Sequence, residues 1–187
     1  APINWMIING EKEVGLTTMK TVLAVDAGDM LLKAETPLGE DENAQELSQR
    51  LSVLGADLLL DTLREIKDIK PEPQVLDDNR NQETDLAPFI EKKLGEIIFD
   101  REEFVLGSAN PRQKDFKVIK KNTAANLHAL VRGTYPWPGA YFMHKENKVI
   151  VLKTAIEKDG DIDVSASKLG QIVSVDKKEG SFSVSTA

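Results

Sequence analysis

Gly15-Leu-Thr-Thr-Met-Lys-Thr-Val-Leu-Ala-Val-Asp-Ala-Gly-Asp-Met-Leu-Leu32 is the stretch around which the chain is organised. Two β-rich runs, Leu16 to Leu23 and Met30 to Thr36, flank the turn Asp26-Ala-Gly-Asp29. The turn holds the only acidic residues between Glu13 and Glu35. A carboxylate at the mouth of a strand-loop-strand element is well placed to handle protons beside a ligand cradled by loop backbone. Asp and Gly are also ordinary turn formers, so the residues alone leave both roles open.

Working outward, Ala1 to Gly10 places Ile3, Ile7 and Ile8 at helical spacing, with Pro2 in the first turn and Gly10 as the stop. Asn43 to Ile66 predicts a long helix. Asn43 caps it with Glu46 three residues on, and Leu47, Leu51, Leu54, Leu58, Leu59, Leu63 and Ile66 form one stripe expected to be core. Gly55 within that helix points to close packing against a neighbour. From Asp68 the composition turns polar and proline-rich, as in Lys70-Pro-Glu-Pro73 and Asp77 to Glu83, which predicts a linker over 69–83. Ala87 to Ile90 and Gly95 to Phe99 predict a short apolar return onto a second domain, and Arg101 to Gln113 an exposed loop.

Thr123 to Gly133 predicts a second amphipathic helix, with Leu127, Leu130 and Val131 on one face and Gly133 as its stop. His128 on it is expected to be an exposed or satisfied histidine. Tyr135-Pro-Trp-Pro-Gly139 makes a stiff aromatic corner, and short β-like runs follow at Ala140 to His144, Val149 to Ile156, Gly170 to Val175 and Ser181 to Ser185. Short strands at such spacing predict a small barrel of the kind that binds oligonucleotides.

With 187 residues, 41% of them apolar, the chain is long enough to bury a core, as one large domain or two small ones. The absence of cysteine excludes disulfides, thiolate metal sites and cysteine catalysis, and two histidines are too few for a His-rich metal cage. No metal is expected. No run reaches the ~18 apolar residues of a membrane helix and no signal pattern opens the chain, so a cytoplasmic protein is expected. The net charge of -7 is unevenly spread: residues 1–113 carry 12 Lys+Arg against 23 Asp+Glu, and residues 114–187 carry 12 against 8. An acidic front and a basic back suit an enzyme body joined to a module that meets a polyanion.

Ala1 to Glu11, Gly15 to Met19, Val25 to Leu32, Leu51 to Leu60 and Val131-Arg-Gly-Thr-Tyr-Pro-Trp-Pro-Gly-Ala-Tyr141 together resemble the methionyl-tRNA formyltransferase family, in family order over most of the chain. The Asp-x-Gly turn is shared with glycinamide ribonucleotide and sugar-nucleotide formyltransferases, whereas the Pro-Trp-Pro-Gly-Ala-Tyr corner points to the tRNA-directed enzymes. The resemblance implies an α/β fold: residues 1–68 as the second half of a Rossmann-like formyltransferase domain, and 84–187 as a small OB-like β-barrel domain that assists tRNA binding. It implies transfer of a formyl group from 10-formyltetrahydrofolate to the amino group of methionyl initiator tRNA, in translation initiation, by an enzyme that is a monomer when complete. Asp26 matches the family Asp that orients the histidine of an Asn-x-His pair and a water, and Leu23, Ala24 and Val25 match the backbone lining the pterin pocket. Asp29 keeps its turn-forming role. For tRNA phosphates the candidates are Lys114, Lys117, Lys120, Lys121 and Arg132.

Two departures qualify this. The family's Asn-x-His pair precedes the position of Ala1, so the chain reads as a fragment without formyltransferase activity by itself, its last strand also stopping short of a closing partner. A half-domain of this kind is expected to leave one sheet edge and one face of the long helix uncovered. Val22-Leu-Ala24 also stands where the family has an acidic-acidic-Gly turn, and the segment from Arg101 to Lys114 is longer than its counterpart. A sugar-nucleotide formyltransferase and a non-catalytic RNA- or folate-binding remnant are the alternatives.

Overall fold

Helix α1, Pro2–Asn9, packs against the helices Ala44–Glu65 and Ala124–Thr134. Pro2 starts it where a missing N–H costs nothing, and Gly10 ends it at φ 76°. The computed structural model describes residues 2–23, 26–74, 87–99, 102–107, 117–157, 168, 170–176, 178–179 and 181–186. Among them the order is α1, β1 (Glu13–Met19), β2 (Met30–Pro37), α2 (Ala44–Glu65), a 3-10 turn (Lys92–Gly95), β3 (Glu103–Gly107), β4 (Lys117–Lys121), α3 (Ala124–Thr134), β5 (Ala140–His144), β6 (Asn147–Val151), β7 (Ile172–Asp176) and β8 (Ser181–Val184).

Two apolar clusters make the core. Ile7, Val14, Ala44, Leu47 and Leu51 form the first, joined by Ile3, Met6, Leu16, Leu38 and Leu54. Trp5, Ile8, Leu94, Ile97, Leu127, Leu130, Val131 and Ala140 form the second. Helix α1 therefore faces both at once. Trp5 adds a hydrogen bond from its indole Nε1 to the Pro88 carbonyl at 2.9 Å, which draws the predicted apolar return at 87–90 onto the core.

Helix α2 begins as its sequence prescribes. The Asn43 side chain accepts from the N–H groups of Gln45 and Glu46, and Glu46 accepts from the Asn43 N–H, closing a capping box. Gly55 lies against β1, where a Cβ would sit 3.3 Å from Leu16 Cδ1. The predicted stripe, however, is only half core. Leu47, Leu51 and Leu58 are buried with Thr62, but Leu59, Leu63 and Ile66 are exposed, as are Val53 and Leu60. At 3.6 residues per turn Leu59, Leu63 and Ile66 rotate off the buried line, and α2 carries apolar residues on a second face that no described residue covers.

Among the described residues the sheets are four antiparallel pairs, β1-β2, β3-β4, β5-β6 and β7-β8. The architecture is thus mixed α/β with a hairpin-rich second half. Among the described residues the hairpins are not joined side by side into a barrel; the bridges between segments are Met30 with Glu72 and Glu96 with Tyr141. One loop and one strand expectation are corrected. Part of the expected exposed loop at 101–113 is strand β3, because Glu103 to Gly107 find a ladder on Lys117 to Lys121, with Glu103 opposite Lys121; residues 108–116 lie outside the described ones. The predicted strand from Leu16 to Leu23 starts at Glu13 and stops at Met19, where the ladder with β2 loses register between Thr17 and Met19. Thr18 turns its hydroxyl to the Leu32 N–H at 3.1 Å and to Thr62 Oγ1 at 2.8 Å, fastening the hairpin to α2 at that point.

Gly133 is not a helix stop either. Helix α3 runs on to Thr134, and Gly133 is buried where α1 crosses it. A Cβ there would sit 2.5 Å from Ile8 Cγ1 and 3.0 Å from Asn4 O, so the glycine is set by close approach of two helices. No helix among the described residues is long and apolar enough to cross a membrane.

Candidate active-site loop and basic face

The loop between β1 and β2 is longer than the four-residue turn read from the sequence. It leaves the ladder after Met19 and is closed at its base by the Lys20 N–H donating to Asp29 O at 2.9 Å. Gly28 is buried so tightly that a Cβ would collide with the Lys20 carbonyl oxygen, which leaves glycine as the residue that fits. Asp26 sits at the exposed tip with φ 53°, in the left-handed region that Asp enters more readily than most residues. Leu23, three residues earlier in the sequence, is fully exposed and Val22 is half-exposed. Ala24 and Val25 lie outside the described residues.

From the far side of the loop comes a residue that sequence reading missed. Gln74 Nε2 donates to Asp26 O at 2.9 Å and to Gly28 O at 2.7 Å. Gln74 falls in the stretch read as linker, and only the Met30–Glu72 bridge, a non-local pairing, brings it here. Its one sequence signal was the stiff Pro71-Glu-Pro73 that precedes it.

The five basic candidates do not form one cluster. Lys114 lies outside the described residues, and Lys117 is placed by its backbone alone, opposite Gly107 at the end of β4. Lys120 and Lys121 are neighbours on one strand and so face opposite sides of it. Lys120 is half-buried, and burial lowers its pKa against the pull of Glu11. Lys121 is exposed. Arg132, half-buried on α3, donates from Nη1 to Glu42 O at 3.0 Å and to Gly39 O at 3.3 Å. Burial lowers its pKa while Asp41 and Glu42 oppose the shift.

Arg132 also lines a cavity of about 490 Å³ between the start of α2 and α3, with Asp41, Glu46, His128, Lys153 and Thr154. His128 is buried there and satisfied, its Nδ1 2.9 Å from Thr154 Oγ1 and its Nε2 3.3 Å from Asp41 Oδ1. The chain contains one Asn-x-His spacing, Asn126-Leu-His128, and it lies on this helix. With both ring nitrogens of His128 engaged and Asn126 Nδ2 bonded to Lys121 O, the pair is structural.

Comparison with known proteins agrees with this architecture. Residues 1–63 match the family described as formyl transferase, and residues 112–187 match the formyl transferase C-terminal domain. The chain is 39% identical over 180 residues to a methionyl-tRNA formyltransferase of Ruminiclostridium cellulolyticum, covering 95% of this chain and 49% of that protein. It is 38% identical over 160 residues to the enzyme of the same name from Acetivibrio thermocellus, covering 83% of this chain and 42% of the relative. The chain thus spans about half the length of the curated relatives it matches. Among solved structures, HypX from Aquifex aeolicus in complex with tetrahydrofolic acid superposes with a TM-score of 0.62 at 16% identity, over 98% of this chain and 27% of that one. A likeness at that identity speaks for the fold. On the two matched segments, which together span 139 of the 187 residues, the chain belongs to the formyl transferase family.

Proposed function

We propose that this chain supplies the Asp-bearing loop and the RNA-facing module of an enzyme that transfers a formyl group from 10-formyltetrahydrofolate to the amino group of methionyl initiator tRNA. The observation that carries the reading is the sequence identity to methionyl-tRNA formyltransferases along both halves of the chain, with the Asp26 loop inside the matched part. Residues 1–68 belong to the catalytic domain, 69–83 form the linker and 84–187 the tRNA-binding module, its hairpins completing a small OB-like barrel. The reading takes the complete enzyme to be a cytoplasmic monomer.

In the reaction the methionyl amine attacks the formyl carbon, and charge gathers on the formyl oxygen. The bond from that carbon to the folate nitrogen then breaks, and the proton lost by the amine ends on the folate nitrogen. Asp26 orients the histidine and the water of this relay. Leu23, with Ala24 and Val25, meets the pterin, the exposed Leu23 side chain offering an apolar surface to the ring. Lys114, Lys117 and Lys121 serve the RNA by meeting phosphate, and Lys120 and Arg132, both half-buried, by supporting the fold around them. Lys121, exposed, contacts phosphate directly, whereas Arg132 holds α3 against the loop before α2.

The test has two arms. The chain should retard initiator tRNA in a gel, in a salt-sensitive manner, and a titration with sugar nucleotide should show no binding. In the enzyme reconstituted to the length of its relatives, Asp26→Asn should lower kcat by about a hundredfold or more, the scale of a lost proton-handling group. Sugar-nucleotide binding without tRNA binding overturns the acceptor, and an unchanged kcat in Asp26→Asn overturns the site.

A further inference from the structure

Not all the residues that hold the Asp26 loop belong to it. After α2 the chain returns to the start of β2, where Met30 N donates to Glu72 O at 2.8 Å and Glu72 N to Met30 O at 2.9 Å. Lys33 Nζ, 3.7 Å from the Glu72 carboxylate, adds an exposed ion pair to the same bridge. Two residues on, the Gln74 carboxamide reaches the loop from outside. Its Nε2 carries two hydrogens and meets two carbonyls, Asp26 O at 2.9 Å and Gly28 O at 2.7 Å, with Met19 Sδ at 4.0 Å. Two acceptors converging on one atom fix which end of the amide points inward.

The grip falls where the loop needs it. Asp26 has φ 53°, a conformation that is open to Asp but costs free energy, so bonds to its backbone help to hold it. Gly28, the other acceptor, is wedged against the Lys20 carbonyl. Among the described residues, no hydrogen bond or ion pair holds the Asp26 carboxylate itself. The backbone therefore sets the direction in which that side chain leaves the loop, and among the described residues the side chain that bonds this backbone is Gln74.

We infer that Gln74 is a positioning residue for formyl transfer: presented by the Met30–Glu72 bridge, its carboxamide holds Asp26 in the left-handed conformation that sets the aim of its carboxylate. The inference rests on the proposed role of Asp26. It also moves residues 72–74 out of the linker and into the support of the site.

Gln74→Met keeps the side chain's length and removes both donors. In this chain, hydrogen exchange at the Lys20 amide, which bonds Asp29, should then quicken about tenfold, the scale of one or two lost hydrogen bonds, while the amides of Leu51 and Leu58 in α2 keep their protection. In the enzyme reconstituted to the length of its relatives, the same variant should lower kcat about tenfold with KM for methionyl-tRNA within about twofold. Placed on Asp26→Asn, it should lower kcat no further, because a residue acting through Asp26 has nothing left to aim. Unchanged exchange in Gln74→Met overturns the grip. Faster exchange with kcat retained, or a loss that simply adds to that of Asp26→Asn, overturns the positioning role. If Asp26→Asn itself leaves kcat intact, the functional reading of the site fails and the positioning role falls with it, whatever exchange shows of the grip.

Discussion

Asn4 and Gly133 meet where α1 crosses α3, the Asn4 Nδ2 donating to the Gly133 carbonyl at 2.7 Å. The bond is possible because Gly133 has no Cβ, which would lie 2.5 Å from Ile8 Cγ1. Gly133→Ala gains about 1 kcal/mol of helix propensity but must push α1 away. Overpacking of this kind costs about 1–3 kcal/mol, and it loosens the Asn4 bond as well. The variant should be less stable overall, seen as a lower urea midpoint with an unchanged slope. A midpoint at or above the parent's refutes the crossing as the reason for the glycine.

Gly28 makes a more local prediction. A Cβ there collides with the Lys20 carbonyl oxygen, so Gly28→Ala should spring the base of the loop and leave the capping box of α2 untouched. Trypsin should then cut after Lys20 faster than in the parent, with thermal unfolding of the remainder little changed. Equal cleavage rates count against the packing described.

Glu42 and Arg50 give a pH dependence. Arg50 Nε lies 2.7 Å from Glu42 Oε1 and Nη2 2.8 Å from Oε2, while Nη1 reaches Thr36 Oγ1 at 2.6 Å. The guanidinium lowers the pKa of Glu42, partial burial opposes it, and the Gly39 N–H adds to the lowering. A carboxylate with a depressed folded pKa stabilises the fold above its unfolded value, near 4.5, and loses that contribution as pH falls through the lower folded value. Glu42→Gln should therefore be less stable at neutral pH and show a shallower decline in urea midpoint below about pH 4.5. Parallel curves for parent and variant would rule this out.

Lys120 and Lys121 should separate in RNA binding. Lys121→Glu, at an exposed position, is expected to weaken initiator tRNA binding and to flatten the salt dependence by about one unit of slope per lost phosphate contact. Lys120→Glu places a half-buried carboxylate near Glu11 and should reduce stability instead. Equal slopes for parent and Lys121→Glu remove that residue from the interface.

Local signals in the sequence were dependable wherever the cause was local. The Asn43–Glu46 capping box, the Gly10 stop and the Ala140 to His144 strand are each decided by a few neighbouring residues, and each stands as read. Errors arose where a distant partner decides. At 3.6 residues per turn Leu59 and Leu63 sit apart from Leu47, Leu51 and Leu58, and which of these faces is buried depends on which side of α2 the hairpin occupies. Glu103 to Gly107 read as loop, since the ladder that makes them a strand lies beyond an intervening stretch. In the site, Asp26 and Gly28 were visible as turn chemistry, but Gln74 acts across 48 residues of sequence, and the stiff Pro71-Glu-Pro73 before it did not point to its partner.

Ile7 lies in one apolar cluster and Ile8 in the other, so a single peptide bond separates the two cores. Neither core can melt without stripping α1 from its neighbour, and the described halves should unfold in one transition rather than two. The same geometry makes the first turns of the chain a transmission shaft. Helix α1 packs on α3 and, through Ile7, shares a cluster with Val14 at the root of the strand that leads to the Asp26 loop, so it is the packed connection between α3 and that strand.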